Sequence, residues 1–210
     1  MPVAMRRRLL IISNAGAGLS HSTLIDATLA ALEAAGAILT RVQPADVAAA
    51  RLAAREAASG DYEAIVAAGG DGTIRHVAAA LIGTDMPLGI IPVGTGNVLA
   101  HEIGLVPRPD AIARMLLHGP VLEVACARAN GEPFLLMAGA GFDARVLRSL
   151  DQRTKSLLGK IAYAAPLIGA LFRPLDALTV TGESPVIDTS ATRIQQNFKE
   201  AGAALATSGH

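Results

Sequence analysis

Three short apolar runs in this chain pass directly into glycine loops, and each loop opens a stretch with helical periodicity. Residues 8–13 lead into NAGAG, residues 62–68 into GGDGT, and residues 88–92 into GTGN. These runs are continuously apolar rather than alternating, as in strands buried on both faces. Further strands or helices fill the intervals. A helix is expected over 21–35, closed by Gly36. A strand is expected over 37–42, and a helix over 44–59 opened by Pro44. Helices follow over 73–82, from 98 to 103, and over 109–117. Strands that alternate with helices of about ten residues or more predict an α/β fold, a parallel sheet with helices on both faces. In such sheets ligands bind beyond the carboxyl ends of the strands, so all three glycine loops should share one edge.

The pattern changes near residue 120. The stretch VLEVACARANGEPFLLMAG reads as two strands joined at Asn130-Gly131, a strong hairpin pair, and so as antiparallel sheet in a second, β-rich domain. Helical runs over 144–151 and 156–172 and a strand at ALTVTG follow. From residue 183 the chain loses its period. The expected division is therefore 1–120, 121–182 and an unassigned tail, 183–210.

Composition narrows the function classes. Of 210 residues, 51% are hydrophobic, none is tryptophan, and 18 Lys and Arg balance 18 Asp and Glu. Zero formal charge argues against a general nucleic-acid binder. The single cysteine, Cys126, excludes a disulfide within the chain, fits a reducing cytosol, and reads as a small buried residue on a strand. The apolar run at residues 9–12 is too short for a secretory signal. The run IAYAAPLIGALF, interrupted by Pro166 and Gly169, is too short to span a bilayer.

The glycine loops carry the chemistry. Strand, glycine loop and helix bring several backbone N–H groups and a helix N-terminus to one point, which attracts phosphate. A carboxylate repels phosphate, so Asp71 within GGDGT points to a magnesium ion, a hydroxyl to be deprotonated or a ribose hydroxyl to be bound. The structural alternative is that Asp71 caps its own helix. The Walker G-x-x-x-x-G-K-[ST], the dinucleotide G-x-G-x-x-G in the first loop and a G-x-S-x-G elbow are absent. His21, His76, His101, His118 and His210 show no metal-ligand spacing and read as surface or helix residues.

NAGAG at Asn14, GGDGT at Gly69 and PLGIIPVGTGNVLAHEIGL at Pro87 together resemble the catalytic domain of the diacylglycerol kinase family, soluble bacterial lipid kinases related to sphingosine kinases. The resemblance continues through FLLMAGAGFDARV and LLGKIAYAAPLIGAL and covers about residues 8–180. GGDGT alone is shared with NAD kinases; its combination with GIIPVGTGN is specific to the lipid kinases. The resemblance implies an NAD kinase/diacylglycerol kinase-like fold and transfer of the ATP γ-phosphate, with magnesium, to the hydroxyl of a diacylglycerol-like lipid in phospholipid metabolism. Carried over by position, Asn14 and Gly18 would line the nucleotide phosphates. Gly69, Gly70, Asp71, Gly72 and Thr73 would cradle the triphosphate and its metal. Gly94, Thr95, Gly96 and Asn97 would complete the nucleotide site, with Thr40 at the end of the second strand. Asp71 would be both the catalytic carboxylate and a metal ligand.

The chain departs from the family in having Val98 after GTGN, where an aspartate is frequent. The resemblance also leads one to expect a later part, which supplies a catalytic glutamate and structural magnesium ligands in bacterial members, and the residues after 182 do not resemble it. The second domain is therefore expected to be incomplete. Two other functions remain open: a truncated nucleotide-binding relative without catalysis, and an NAD kinase-like small-molecule kinase. Arg145, Arg148, Arg153, Lys155, Lys160 and Arg173, against Asp143 and Asp151, surround the apolar run at 161–172. That combination suits contact with an anionic lipid surface. The expected location is cytoplasmic, at most peripheral at the inner membrane face, and an unpaired sheet edge would favour a homodimer.

Overall fold

The computed structural model describes residues 5–13, 19–135 and 191–195. Among the described residues, eight strands and five helices follow one another as β1 (Arg8–Ser13), α1 (Leu19–Ala34), β2 (Ile38–Val42), α2 (Val47–Ala58), β3 (Ala64–Gly69), α3 (Asp71–Leu81), β4 (Leu88–Pro92), α4 (Val98–Glu102), α5 (Pro109–His118), β5 (Val121–Ala125), β6 (Ala127–Ala129), β7 (Glu132–Phe134) and β8 (Ala191–Gln195). The expected parallel sheet forms. Its order is β2-β1-β3-β4-β8-β5, with β2, β1, β3 and β4 all parallel. Helix α1 packs against α5 and α2 against α3, a layer of helices on each side of the sheet.

The continuous apolar runs explain the layering. All residues of β3 and β4 are buried, and Leu9, Ile12, Ile65, Leu88, Ile90 and Ile91 are wholly inaccessible. Helices supply the facing side chains, Ile74, Val77 and Leu81 from α3 and Ile112, Met115 and Leu116 from α5. Each such side chain stabilises the fold by roughly 1.5–3 kcal/mol. The edge strand β2 is different: Ile38, Thr40 and Arg41 are exposed.

The ends of this core are tied by polar contacts that hydropathy does not reveal. Arg6 is buried, and its guanidinium donates to the carbonyls of Gly119 (2.9 Å) and Leu116 (3.4 Å). It thus meets the carbonyl-rich end of α5, where a cation is favoured. Burial lowers the Arg6 pKa. The arginines before β1 are therefore part of the fold. Glu63 accepts from the N–H groups of Arg7 (2.6 Å) and Arg8 (2.8 Å), which hold its carboxyl below the ordinary range.

Several boundaries differ from expectation. Helix α2 begins at Val47, not at Pro44, because Asp46 caps it by accepting from Ala49 N–H at 2.8 Å. The Asn130-Gly131 turn forms, with φ of 51° and 80°, the left-handed pair that a two-residue hairpin requires. It joins only β6 to β7. The chain breaks at Cys126, which is buried between strands rather than on one, and β5 enters the large sheet. The tail contributes β8, which lies antiparallel to β5 over five positions and parallel to β4 at Leu88↔Ile194. One compact unit accordingly comprises Met1–Leu135 with Thr189–His210, past the expected boundary at 120, and Leu136–Asp188 form a second. The helices expected over 144–151 and 156–172, the strand at 177–182 and the basic patch from Arg145 to Arg173 lie outside the described residues. Among the described residues no helix is long and apolar enough to cross a membrane.

Candidate functional site

Register sets the site. Ser13 pairs with Ala68, and Gly69 pairs with Pro92, so β1, β3 and β4 end side by side at one edge. The loops after β3 and β4 are thereby brought together, as the sequence predicts. Asn14 and Gly18 belong to the segment after Ser13 and lie outside the described residues. Thr40 is not brought to the glycine loops. It sits within β2, level with Leu10 and through it with Ile65, four residues and about 13 Å short of Gly69 along the strand direction. Strand β2 runs on to Val42, so Thr40 is not at its end.

The two loops touch backbone to backbone. A Cβ on Gly94 would lie 2.4 Å from the Cα of Gly70 and 2.8 Å from Oδ1 of Asn97. Val93 N–H donates to the Gly69 carbonyl at 3.1 Å and continues the ladder into the loops. Gly69 is held by its neighbour: a Cβ there would overlap the Thr73 side chain at 2.5 Å. Gly72 differs from all of these. It is exposed, its added Cβ would meet nothing within 4 Å, and its φ is not positive. Neither packing nor backbone conformation accounts for glycine there, whereas a ligand lying on the backbone would. Thr95 and Gly96 are exposed on the facing loop, and Thr73 is partly buried.

Asp71 is not the cap of its own helix. Gly70 is the N-cap of α3, and Asp71 is the first helical residue. Its carboxylate crosses to the other loop, where Oδ1 accepts from Leu99 N–H at 3.3 Å and Oδ2 lies 3.0 Å from where a Cβ on Gly96 would be. Asp71 therefore caps α4 from across the cleft. Asn97 closes the second loop on itself. It adopts φ 50°, ψ 41°; its Oδ1 accepts from Gly94 N–H and its Nδ2 donates to the Gly94 carbonyl, both at 2.7 Å.

A carboxylate held by one main-chain N–H where two loops abut can hold a hydroxyl or share a cation with phosphate oxygens. Magnesium is commonly bound through one or two carboxylates plus substrate phosphates, with water completing the shell. Asp71 supplies one such carboxylate, so the residues fit that ion. No group of three or more His, Cys, Asp or Glu able to hold a metal by itself occurs among the described residues.

A second cluster lies along α2 and α3, and sequence reasoning missed it. Arg51 donates to Glu132 at 2.7 Å and lies 3.2 Å from Nδ1 of His76, while Arg75 lies 3.5 Å from Nε2 of the same ring. It joins α2, α3 and β7, three elements whose sequence separation hides the contact. Burial first, then the charges of Arg75 and Arg51, lower the His76 pKa, against a smaller opposing effect of Glu132.

Residues 8–129, more than half of the chain, match the family model described as the diacylglycerol kinase catalytic domain. The diacylglycerol kinase of Bacillus subtilis is 37% identical over 115 residues, 53% of this chain and 38% of that protein. The protein named "Probable lipid kinase YegS" in Salmonella newport is 36% identical over 122 residues, 56% of this chain and 40% of that one. A crystal structure of a diacylglycerol kinase from Bacillus anthracis superposes with a TM-score of 0.51 at 26% identity, covering 61% of this chain and 48% of that chain. The match thus spans two fifths or less of the length of these curated relatives.

Proposed function

Because the chain belongs to the diacylglycerol kinase catalytic domain family, we propose that it is an ATP-dependent lipid kinase that transfers the γ-phosphate to the hydroxyl of a diacylglycerol-like acceptor. The observation that carries this reading is the Asp71 carboxylate held across two abutting glycine loops at the carboxyl edge of the sheet. Phosphoryl transfer depends mainly on positioning and charge neutralisation, which a rigid cradle of N–H groups provides. In the proposed step the lipid oxygen forms a bond to the γ-phosphorus, the bond to the ADP oxygen breaks, and Asp71 accepts the hydroxyl proton. Asp71 would hold a magnesium ion, which would supply charge neutralisation to the triphosphate. Gly69, Gly70, Gly72, Thr73, Gly94, Thr95 and Gly96 would face the nucleotide, and the family resemblance adds Asn14 and Gly18. The protein would work in the cytoplasm, meeting its lipid at the inner membrane face through the basic stretch between Arg145 and Arg173, as a monomer or a homodimer.

A second reading is nucleotide binding without transfer. Both are tested by labelled ATP with magnesium and mixed micelles holding diacylglycerol, monoacylglycerol, sphingosine or phosphatidylglycerol, with NAD as a separate acceptor. Labelled lipid that vanishes in Asp71→Asn is the expected result and names the acceptor. Nucleotide binding with no label on any acceptor would select the second reading, and label on NAD alone would make the chain an NAD kinase.

A further inference from the structure

We infer that Asn97 is a positioning residue for Asp71 and not a contact to the nucleotide, an inference that rests on the reading of Asp71 as the reactive carboxylate. The side-chain amide of Asn97 has one acceptor and one donor group, and both engage the backbone of Gly94, at 2.7 Å each. The amide is thereby oriented by the loop backbone, with one hydrogen and one lone pair left over. What these bonds do is shape the loop. They hold residues 94–97 as a closed ring, and Asn97 itself takes the left-handed conformation from which α4 starts, a conformation asparagine tolerates better than most residues.

Two consequences converge on Asp71. The ring presses Gly94 against Gly70, the residue immediately before Asp71. It also aims the first turn of α4 at the carboxylate. The first internal bond of that helix runs from His101 N–H to the Asn97 carbonyl (3.0 Å), so the N–H groups of Val98, Leu99 and Ala100 have no partner within the helix. Asp71 takes the one on Leu99. The carboxylate is thereby fixed on one oxygen. The other lies toward Gly96, where absence of a Cβ keeps the approach open. A rotation of α4 would leave Asp71 free to turn away from the acceptor without removing any group that touches ATP.

Asn97→Gly separates the two contributions of Asn97. Glycine adopts φ 50° without strain, so the fold persists and only the two side-chain bonds are lost. The expected result is a lipid-phosphorylation turnover about tenfold lower or more, a larger loss than any in nucleotide affinity, the pattern of an interaction that serves the transition state. Leu99 amide hydrogen exchange should accelerate in Asn97→Gly and in Asp71→Ala alike. In an Asp71→Ala background Asn97→Gly should leave turnover unchanged, because residues that act through one another are not additive. Nucleotide affinity that falls as far as turnover while Leu99 exchange stays unaltered would overturn the inference and make Asn97 a ligand contact. So would unaltered Leu99 exchange in Asn97→Gly. The exchange measurement needs no lipid acceptor, so failure of the kinase reading and failure of this inference are read separately.

Discussion

Gly94 and Gly70 face each other across the site with no room for a side chain on the Gly94 side: its Cβ would sit 2.4 Å from the Gly70 Cα. Main-chain atoms cannot move aside as a flexible side chain does, so Gly94→Ala must separate the loops. Overpacking of this kind costs about 1–3 kcal/mol. Gly72→Ala is the contrast, because its Cβ enters open space at a backbone conformation that alanine accepts. Urea denaturation should place Gly94→Ala at a clearly lower midpoint and leave Gly72→Ala within about 0.5 kcal/mol of wild type. If a phosphate lies on the Gly72 backbone, Gly72→Ala should nevertheless weaken nucleotide binding about tenfold or more, worth about 1.4 kcal/mol. Unaltered affinity would remove Gly72 from the cradle.

The His76 cluster gives a pH dependence of stability with a definite sign. Burial and two arginines hold the folded-state pKa of His76 below its ordinary value of 6.5. The unfolded chain therefore binds more protons than the folded one as pH falls below that value, and stability rises with pH across this window. The stabilisation is complete above the unfolded pKa and is lost as pH drops toward the depressed folded one. Arg51 and Arg75 face the ring from α2 and α3, and Glu132 from β7. Protonation removes the ring's acceptor and sets its N–H against the Arg51 donor. Urea midpoints between pH 7.5 and 5 should decline in the wild type more steeply than in His76→Gln. Equal slopes would show that the ring titrates as it does in water.

What the sequence made legible follows from which forces are local. The strands β1, β3 and β4 were readable because burial on both faces demands continuous apolar runs, and β3 is buried throughout. The convergence of GGDGT and GTGN follows from parallel strands alone. The partner of Asp71 was not readable, because Leu99 is 28 residues away and contributes only a backbone N–H. The sequence reads Asp71 as a functional carboxylate, with a cap of its own helix as the alternative, and gives no sign that it caps another helix. Arg6 was equally opaque: its contact with the end of α5 spans more than a hundred residues. Pro44 was a local sign outweighed by a better cap at Asp46. The stretch ATRIQ carries too few apolar residues to announce a strand, and only its neighbours β4 and β5 give it a place.

That placement makes the tail testable. Strand β8 lies between β4 and β5 in the sheet order, and it carries five paired positions to β5, from Val121↔Gln195 to Ala125↔Ala191. Deleting residues 189–210 would strip β5 of its partner and open the edge of β4, whose residues are all buried. An exposed apolar edge pairs with whatever strand it meets. The deletion variant should therefore elute as higher-order species in size-exclusion chromatography, and its amides at Leu122 and Val124 should exchange faster than in the full chain. The remainder of the sheet, β2-β1-β3, keeps its own ladders, so the amides of Ile65 and Val66 should retain their protection. A deletion variant that stays monomeric with β5 protected would mean that β5 is held by α5 and the β6–β7 hairpin, and that β8 is an accessory strand.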